Sequence, residues 1–216
     1  EFILSFKLLN SQISPTKLKI FEEKNKKKYD KRSKFKIYKD LKKVDKKITI
    51  SLNPTNYLNN DFKIFPLSGV SNSKTIHCNE NGYFSIYNSD RFGFNNPDNQ
   101  WENKNIEYVL IGDSFVHGAC VNRPNDISSV LRDLSKKTVL NLGYDGTGPL
   151  IQYATLREYL KPNVENILWF YFEMNEFYNL SNEIVNKNLA KYIDNLNFSQ
   201  NLKMRQNQID KLAHRI

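Results

Sequence analysis

The sequence predicts an α/β fold, a parallel sheet covered by helices on both faces, behind a smaller β-rich block. From about residue 105 the chain repeats a strand, loop, helix rhythm. Apolar runs at residues 107–111, 138–142 and 166–172 each read as a strand ending in small or polar residues, the first of them a short buried strand. Helical patterning fills the stretches after them, at about residues 126–136, 149–160 and 178–195. Crossovers between such strands are expected to be right-handed.

The order of elements divides the chain into a basic extension (1–59), a β-rich lead-in (60–104) and the α/β domain (105–216). A chain of 216 residues with 39% hydrophobic and 13% aromatic content can bury a sizeable core, which excludes wholesale disorder. No apolar run is long enough to span a bilayer. The opening Glu1-Phe2-Ile3-Leu4-Ser5-Phe6-Lys7-Leu8-Leu9 has two readings. It is the tail of a longer membrane or signal segment, tethering the chain upstream of residue 1, or the first turns of an amphipathic helix.

Residues 1–50 read as a charged, largely helical, peripheral extension. Residues 17–47 carry 15 Lys or Arg against 5 Asp or Glu, so this stretch accounts for the whole net charge of +9. Nucleic-acid recognition needs basic residues woven through the fold beside aromatic platforms. Charge gathered in one segment reads instead as a solvated face, and no nucleic acid is expected as a partner. Alternation at residues 47–52 predicts a strand that stops at Asn53-Pro54.

In the lead-in, residues 61–65 alternate and end at Pro66, predicting another strand. Residues 74–78 and 83–87 flank Asn81-Gly82, a strong hairpin signal. His77 falls in a strand of that hairpin and is expected to have no chemical role. Residues 89–97 read as a loop braced by Phe92 and Phe94. Cys78 and Cys120 are too few for an all-Cys metal site. A disulfide and two buried thiols both remain open.

In the α/β domain, Pro149 suits a first helical turn and Lys161-Pro162 closes that helix. Residues 196–216 read as a polar helix with Leu202, Ile209 and Leu212 as its apolar positions. Three strands leave the sheet unfinished, so the chain is expected to stop before its domain does.

The chemistry centres on the strand ending in Gly112-Asp113-Ser114. A serine just past a buried strand sits at the carboxyl edge of the sheet, where open α/β sheets place their sites. Gly112 and Gly118 permit tight turns there. Two further strand ends follow, at Asn141-Leu142-Gly143-Tyr144-Asp145-Gly146 and at Glu173-Met174-Asn175-Glu176. Acyl transfer through serine needs a nucleophile, a base and donors aimed at the oxyanion. Ser114 offers a hydroxyl and its own N–H, Gly146 a second N–H, and Asn175 a side-chain amide. Asp113 is expected to brace the loop or cap the helix, and Asp145 to be a turn residue. His117 is expected to pack or to contact substrate.

These three blocks, in this order, resemble those of the SGNH, or GDSL-type, hydrolase superfamily. Asp90-Arg91-Phe92-Gly93-Phe94-Asn95 also resembles the segment before the first block in members from bacterial surface-polysaccharide systems. The resemblance covers about residues 85–180. It implies a three-layer αβα fold with a flavodoxin-like sheet. It also implies a serine-dependent ester hydrolase or O-acyltransferase, with an acyl-enzyme on Ser114 and an oxyanion hole of Ser114, Gly146 and Asn175. The implied substrate is an acylated carbohydrate, and the implied place is the cell envelope or periplasm. No metal or other cofactor is expected. Glu173 and Glu176 stand where the family has Gly and Asp. The family's base lies in an Asp-x-x-His block near the domain's end. The nearest match, Asp210 with His214, is one residue too long and sits in a helical pattern. The base is therefore expected beyond Ile216, and the chain alone is expected to be inactive. The alternative from another class is a glycan-binding or scaffold module of the same fold that has lost turnover.

Overall fold

The computed structural model describes residues 15–174 and 176–213. These form a mixed α/β chain of eight α-helices and two three-stranded sheets. The first sheet contains β1 (Ile48–Ile50), β2 (Lys74–Ile76) and β3 (Ile86–Asn88). β1 runs parallel to β2, with Ile48 opposite Lys74, and β2 runs antiparallel to β3, with Ile76 opposite Ile86. The hairpin expected around Asn81-Gly82 is present, with Gly82 at φ +78°. The second sheet is all parallel and has the order β5-β4-β6. β4 is Ile106–Ile111, β5 is Val139–Asn141 and β6 is Val164–Trp169. Val109 of β4 lies opposite Leu140 on one side and Ile167 on the other.

The helices are α1 (Pro15–Asn25), α2 (Lys34–Lys42), α3 (Ser114–His117), α4 (Ile127–Ser135), α5 (Pro149–Tyr159), α6 (Glu176–Glu183), α7 (Lys187–Asp194) and α8 (Gln206–Ala213). Their starts follow capping chemistry. Ser33 Oγ accepts from Lys36 N–H at α2, and the Asp126 carboxylate accepts from Ser129 N–H at α4. The Glu183 carboxylate, reaching across from α6, accepts from the N–H groups of Gly148, Leu150 and Ile151 at the start of α5.

β4 is buried on both faces. Val109 and Ile111 share a core with Ile151, Ala154 and Tyr159 of α5. Leu110 packs with Val116 and Val139, and Leu131 of α4 lies against them. Among the described residues the second edge of β6 has no strand partner. Ile167, Leu168 and Trp169 are each more than a third exposed there.

Four sequence expectations need correction. Residues 61–65 form no strand, because the Gln200 side chain takes the place of a neighbouring strand. Its Oε1 accepts from Phe65 N–H at 2.7 Å and its Nε2 donates to Phe65 O at 3.3 Å. The third strand of the parallel sheet begins earlier than residue 166 and ends at Trp169 rather than Phe172. The helix expected over 178–195 is two helices. Asn186 breaks it by capping α7, while its Nδ2 donates to Leu58 O. Finally, the polar helix expected over 196–216 is, among the described residues 196–213, confined to α8. The buried Glu158 carboxylate accepts from Tyr192 Oη, Ser199 Oγ, Gln200 N–H and Leu202 N–H, and this holds an irregular loop. Leu202 and Ile209 then enter the main core instead of striping a surface helix.

Residues 15–59, read as peripheral, are tied to the lead-in. Ile37, Ile48 and Ile76 share one small core. The Tyr29 hydroxyl donates to Asn79 O. Cys78 and Cys120 are disulfide-bonded, joining the end of β2 to the loop after α3 across a separation of 42 residues. Among the described residues no helix is long and apolar enough to cross a membrane.

Candidate functional site

The parallel sheet brings three chain segments to one edge. Beyond β4 and β5, Leu142 N–H donates to Leu110 O at 2.8 Å and Tyr144 N–H to Gly112 O at 3.1 Å. Beyond β6, Phe170 N–H donates to Ile111 O at 2.8 Å. The Thr147 hydroxyl also lies 3.4 Å from Gly112 O. A Cβ on Gly112 would stand 2.7 Å from Val116 Cγ2 and 3.0 Å from Phe170 O, so only glycine fits this crossing.

Ser114 opens the four-residue helix α3. Asp113 caps it, its carboxylate accepting from Phe115 N–H at 3.0 Å. Gly118, at φ +78°, ends it in a left-handed conformation. Asn141, buried at the end of β5, bonds the Val116 carbonyl through Nδ2 and receives Gly143 N–H on Oδ1. Helix α3 is thus fastened to the neighbouring strand end. Ser114 is half-buried and lines a cavity of about 400 Å³ shared with Phe115, Ala119, Val121, Ile127 and Asp145. Among the described residues neither the Ser114 N–H nor the Gly146 N–H has an acceptor, and Ser114 Oγ has no hydrogen-bond partner.

Asp145 is the most heavily held residue of the second loop. Its N–H donates to His117 Nδ1 at 3.0 Å, and its Oδ2 lies 3.4 Å from His77 Nε2. Burial pushes the Asp145 carboxyl up, but His77, His117 and Lys34 together draw it below the ordinary range. Burial raises Asp113, and the neighbouring Asp145 adds to that.

His117 is fully buried and does not line the cavity. Since Nδ1 accepts from Asp145, Nε2 carries the hydrogen and donates to Tyr87 Oη at 3.1 Å. Burial, then the neighbouring His77, hold its pKa well below the ordinary value. A neutral ring with both nitrogens engaged neither contacts substrate nor accepts a proton from Ser114. His77, given no role from sequence, is buried against Asp145 and lies tilted against His117, with ring centroids 4.3 Å apart.

In the third block Asn175 lies outside the described residues, and so does His214. Glu173 is exposed, whereas Glu176 is fully buried. Glu176 Oε1 accepts from Gln152 Nε2 at 3.2 Å, and burial, then the charge of Asp113, raise its pKa. Asp210 is spent elsewhere, accepting from Ser71 N–H at 2.9 Å and Ser71 Oγ at 2.7 Å. That bond fastens α8 to the lead-in, which argues against Asp210 as the orienting partner of a base.

The structure therefore brings Ser114, Asp113, Asp145 and Gly146 together on adjacent strand ends. It adds residues that sequence reasoning passed over: Asn53, Lys34 and His77, all from outside the α/β domain. Asn53 was read only as a strand stop before Pro54, and no spacing relative to the three blocks marked it. Among the described residues no group of three or more His, Cys, Asp or Glu side chains is arranged to hold a metal ion. Comparison with family models, with curated proteins and with solved structures finds no match.

Proposed function

We propose that the chain is a serine-dependent ester hydrolase or O-acyltransferase of the SGNH type, with the three-layer, flavodoxin-like architecture that this family implies. One observation carries the reading. Ser114, at a helix start past a buried strand, shares a cavity with Asp145, and among the described residues neither its own backbone N–H nor that of Gly146, the next residue after Asp145, has an acceptor. Buried or half-buried donors are normally satisfied, so free donors beside a hydroxyl are suited to an oxygen that develops charge.

In this reading the Ser114 Oγ attacks the acyl carbonyl carbon. The carbonyl oxygen takes the negative charge and is met by the N–H groups of Ser114 and Gly146, with Asn175 as the third donor. The ester C–O bond breaks, the departing alkoxide takes a proton, and the acyl group stays on Ser114. Water, or the hydroxyl of an acceptor, then attacks the acyl-enzyme and frees the serine. A base accepts the serine proton and returns it to the leaving oxygen. The engagement of His117 and Asp210 leaves that role to a side chain outside the described residues. The cavity is walled by Phe115, Val121 and Ile127 with Glu80, Asn125 and Asp126 among them, a mixed lining suited to a hydroxylated ester such as an acylated sugar.

The test is hydrolysis of p-nitrophenyl acetate by the full-length protein, which is expected to supply the Asp-x-x-His base, together with mass-spectrometric detection of a fluorophosphonate adduct. Turnover and adduct are expected to disappear in Ser114→Ala. Hydrolysis that survives this change removes Ser114 from the mechanism. The unpartnered Ser114 Oγ also favours a second reading, a glycan-binding module without turnover. That reading requires glycan retention by a chain that forms no adduct and is unaffected by Ser114→Ala.

A further inference from the structure

We propose that Asn53 is a positioning residue that fixes the peptide between Asp145 and Gly146, so that the Gly146 N–H stands ready for the substrate oxyanion; the role rests on the reading of Ser114 and Gly146 given above. The argument begins with the peptide plane. The carbonyl of Asp145 and the N–H of Gly146 belong to one rigid unit. Whatever holds the carbonyl also sets the direction of the N–H.

Asn53 holds that carbonyl. With its amide nitrogen facing Asp145, it donates to Asp145 Oδ2 and to Asp145 O, each at 3.3 Å. The opposite orientation would set its oxygen against two acceptors, so the orientation follows from the surroundings. Gly146 explains how Asn53 comes so near. A Cβ at Gly146 would stand 2.8 Å from the other end of the Asn53 amide, its oxygen in this orientation, and Gly146 has φ +73°, a conformation that disfavours other residues. The glycine thus clears space for the amide that holds its own peptide.

The rest of Asp145 is held from below. Its N–H ends on His117 Nδ1, and its carboxylate meets His77 Nε2. Asn53 and the two histidines together hold the N–H, the carbonyl and the carboxylate of Asp145. The Gly146 N–H is left as the group of this stretch that the fold does not use among the described residues. Donation to the Asp145 carbonyl also polarises the amide and makes its N–H a stronger donor. None of these three side chains touches Ser114 in the described hydrogen bonds, so each acts through Asp145.

The experiment compares the wild-type chain with Asn53→Ala by two readouts. The first is the backbone amide resonance of Gly146 in a 15N-labelled sample. It is expected to shift in the variant, while amides remote from residues 145–146 keep their positions. An unmoved Gly146 resonance overturns the proposal whether or not the chain turns over ester. The second is p-nitrophenyl acetate hydrolysis by the full-length protein with and without the same substitution, where kcat is expected to fall on the order of tenfold with KM within about twofold. This is less than the 10²–10³ for removing a donor outright. Loss of activity in Ser114→Ala with kcat unchanged in Asn53→Ala refutes the positioning role and leaves the nucleophile standing. Hydrolysis that persists in Ser114→Ala refutes the nucleophile instead. Asn53→Ser, too short to reach the Asp145 carbonyl, is expected to repeat both effects and replaces Asn53→Ala if that variant does not fold.

Discussion

Breaking the Cys78–Cys120 bond is the perturbation whose size the structure defines best. The bond closes a loop across 42 residues, from the end of β2 to the segment after α3. In the chain-entropy description, cross-linking a loop of that length removes about 13 cal/mol/K from the unfolded ensemble, or about 4 kcal/mol at 25 °C. A domain of ordinary stability holds only about 5–15 kcal/mol in total, so this is a large part. The Cys78→Ser, Cys120→Ser double variant is expected to unfold at a lower urea concentration by an amount equivalent to about 4 kcal/mol, with little change in slope. Wild-type protein in a strong reductant should approach the same midpoint, and the variant should not respond to reductant. A titration of free thiols in the denatured, unreduced wild type should find none. Coincident midpoints for wild type and variant without reductant, or two free thiols, would refute the reasoning.

Two more perturbations separate structural roles. Glu158 satisfies four donors from residues 192–202, so Glu158→Ala leaves buried groups unpaired and is expected to cost about 3–5 kcal/mol in urea unfolding; a loss below 1 kcal/mol would show that the loop is held by other means. His117 titrates near its ordinary value once unfolded but stays neutral when folded, because burial depresses its pKa. Its contribution is therefore full above about pH 6.5 and is lost as pH falls below that, at about 1.4 kcal/mol per pH unit. Asp90, pushed up to about 6 by burial, and Glu183, pushed up to about 7, act in the opposite sense, losing stability as pH rises towards those values. The measurement is thus a difference: stability between pH 6.5 and 5 should fall less steeply in His117→Gln than in wild type, and equal slopes would remove His117 as the cause.

The parallel sheet was legible because its strands obey local rules. The runs at 107–111 and 138–142 and the helices at 126–136 and 149–160 stand within about two residues of their observed bounds. Apolar runs, an Asp cap and a Pro at a first turn each act over a few positions. The misreadings share the opposite cause. Phe65 bonds to Gln200 and Leu202 to Glu158, partners 135 and 44 positions away, and no window of sequence contains both members. The candidate site divides in the same way. Ser114, Asp113 and Gly146 announce themselves at strand ends, because a turn there needs small or capping residues. Asn53, from the extension, and His77, from the lead-in, reach Asp145 only once those segments pack against the α/β domain. Their roles depend on packing, which alternation does not encode.

The Gly112 carbonyl receives Tyr144 N–H and lies within reach of the Thr147 hydroxyl, while its own chain runs on directly to Ser114. One oxygen thereby links the loop that bears the hydroxyl to the loop that bears the glycine amide. Their separation is established when the sheet assembles, before any ligand arrives. Such a pair has little freedom to close around a guest, so under the proposed esterase reading any selectivity among esters would come from the fit of a nearly fixed frame rather than from a closing movement.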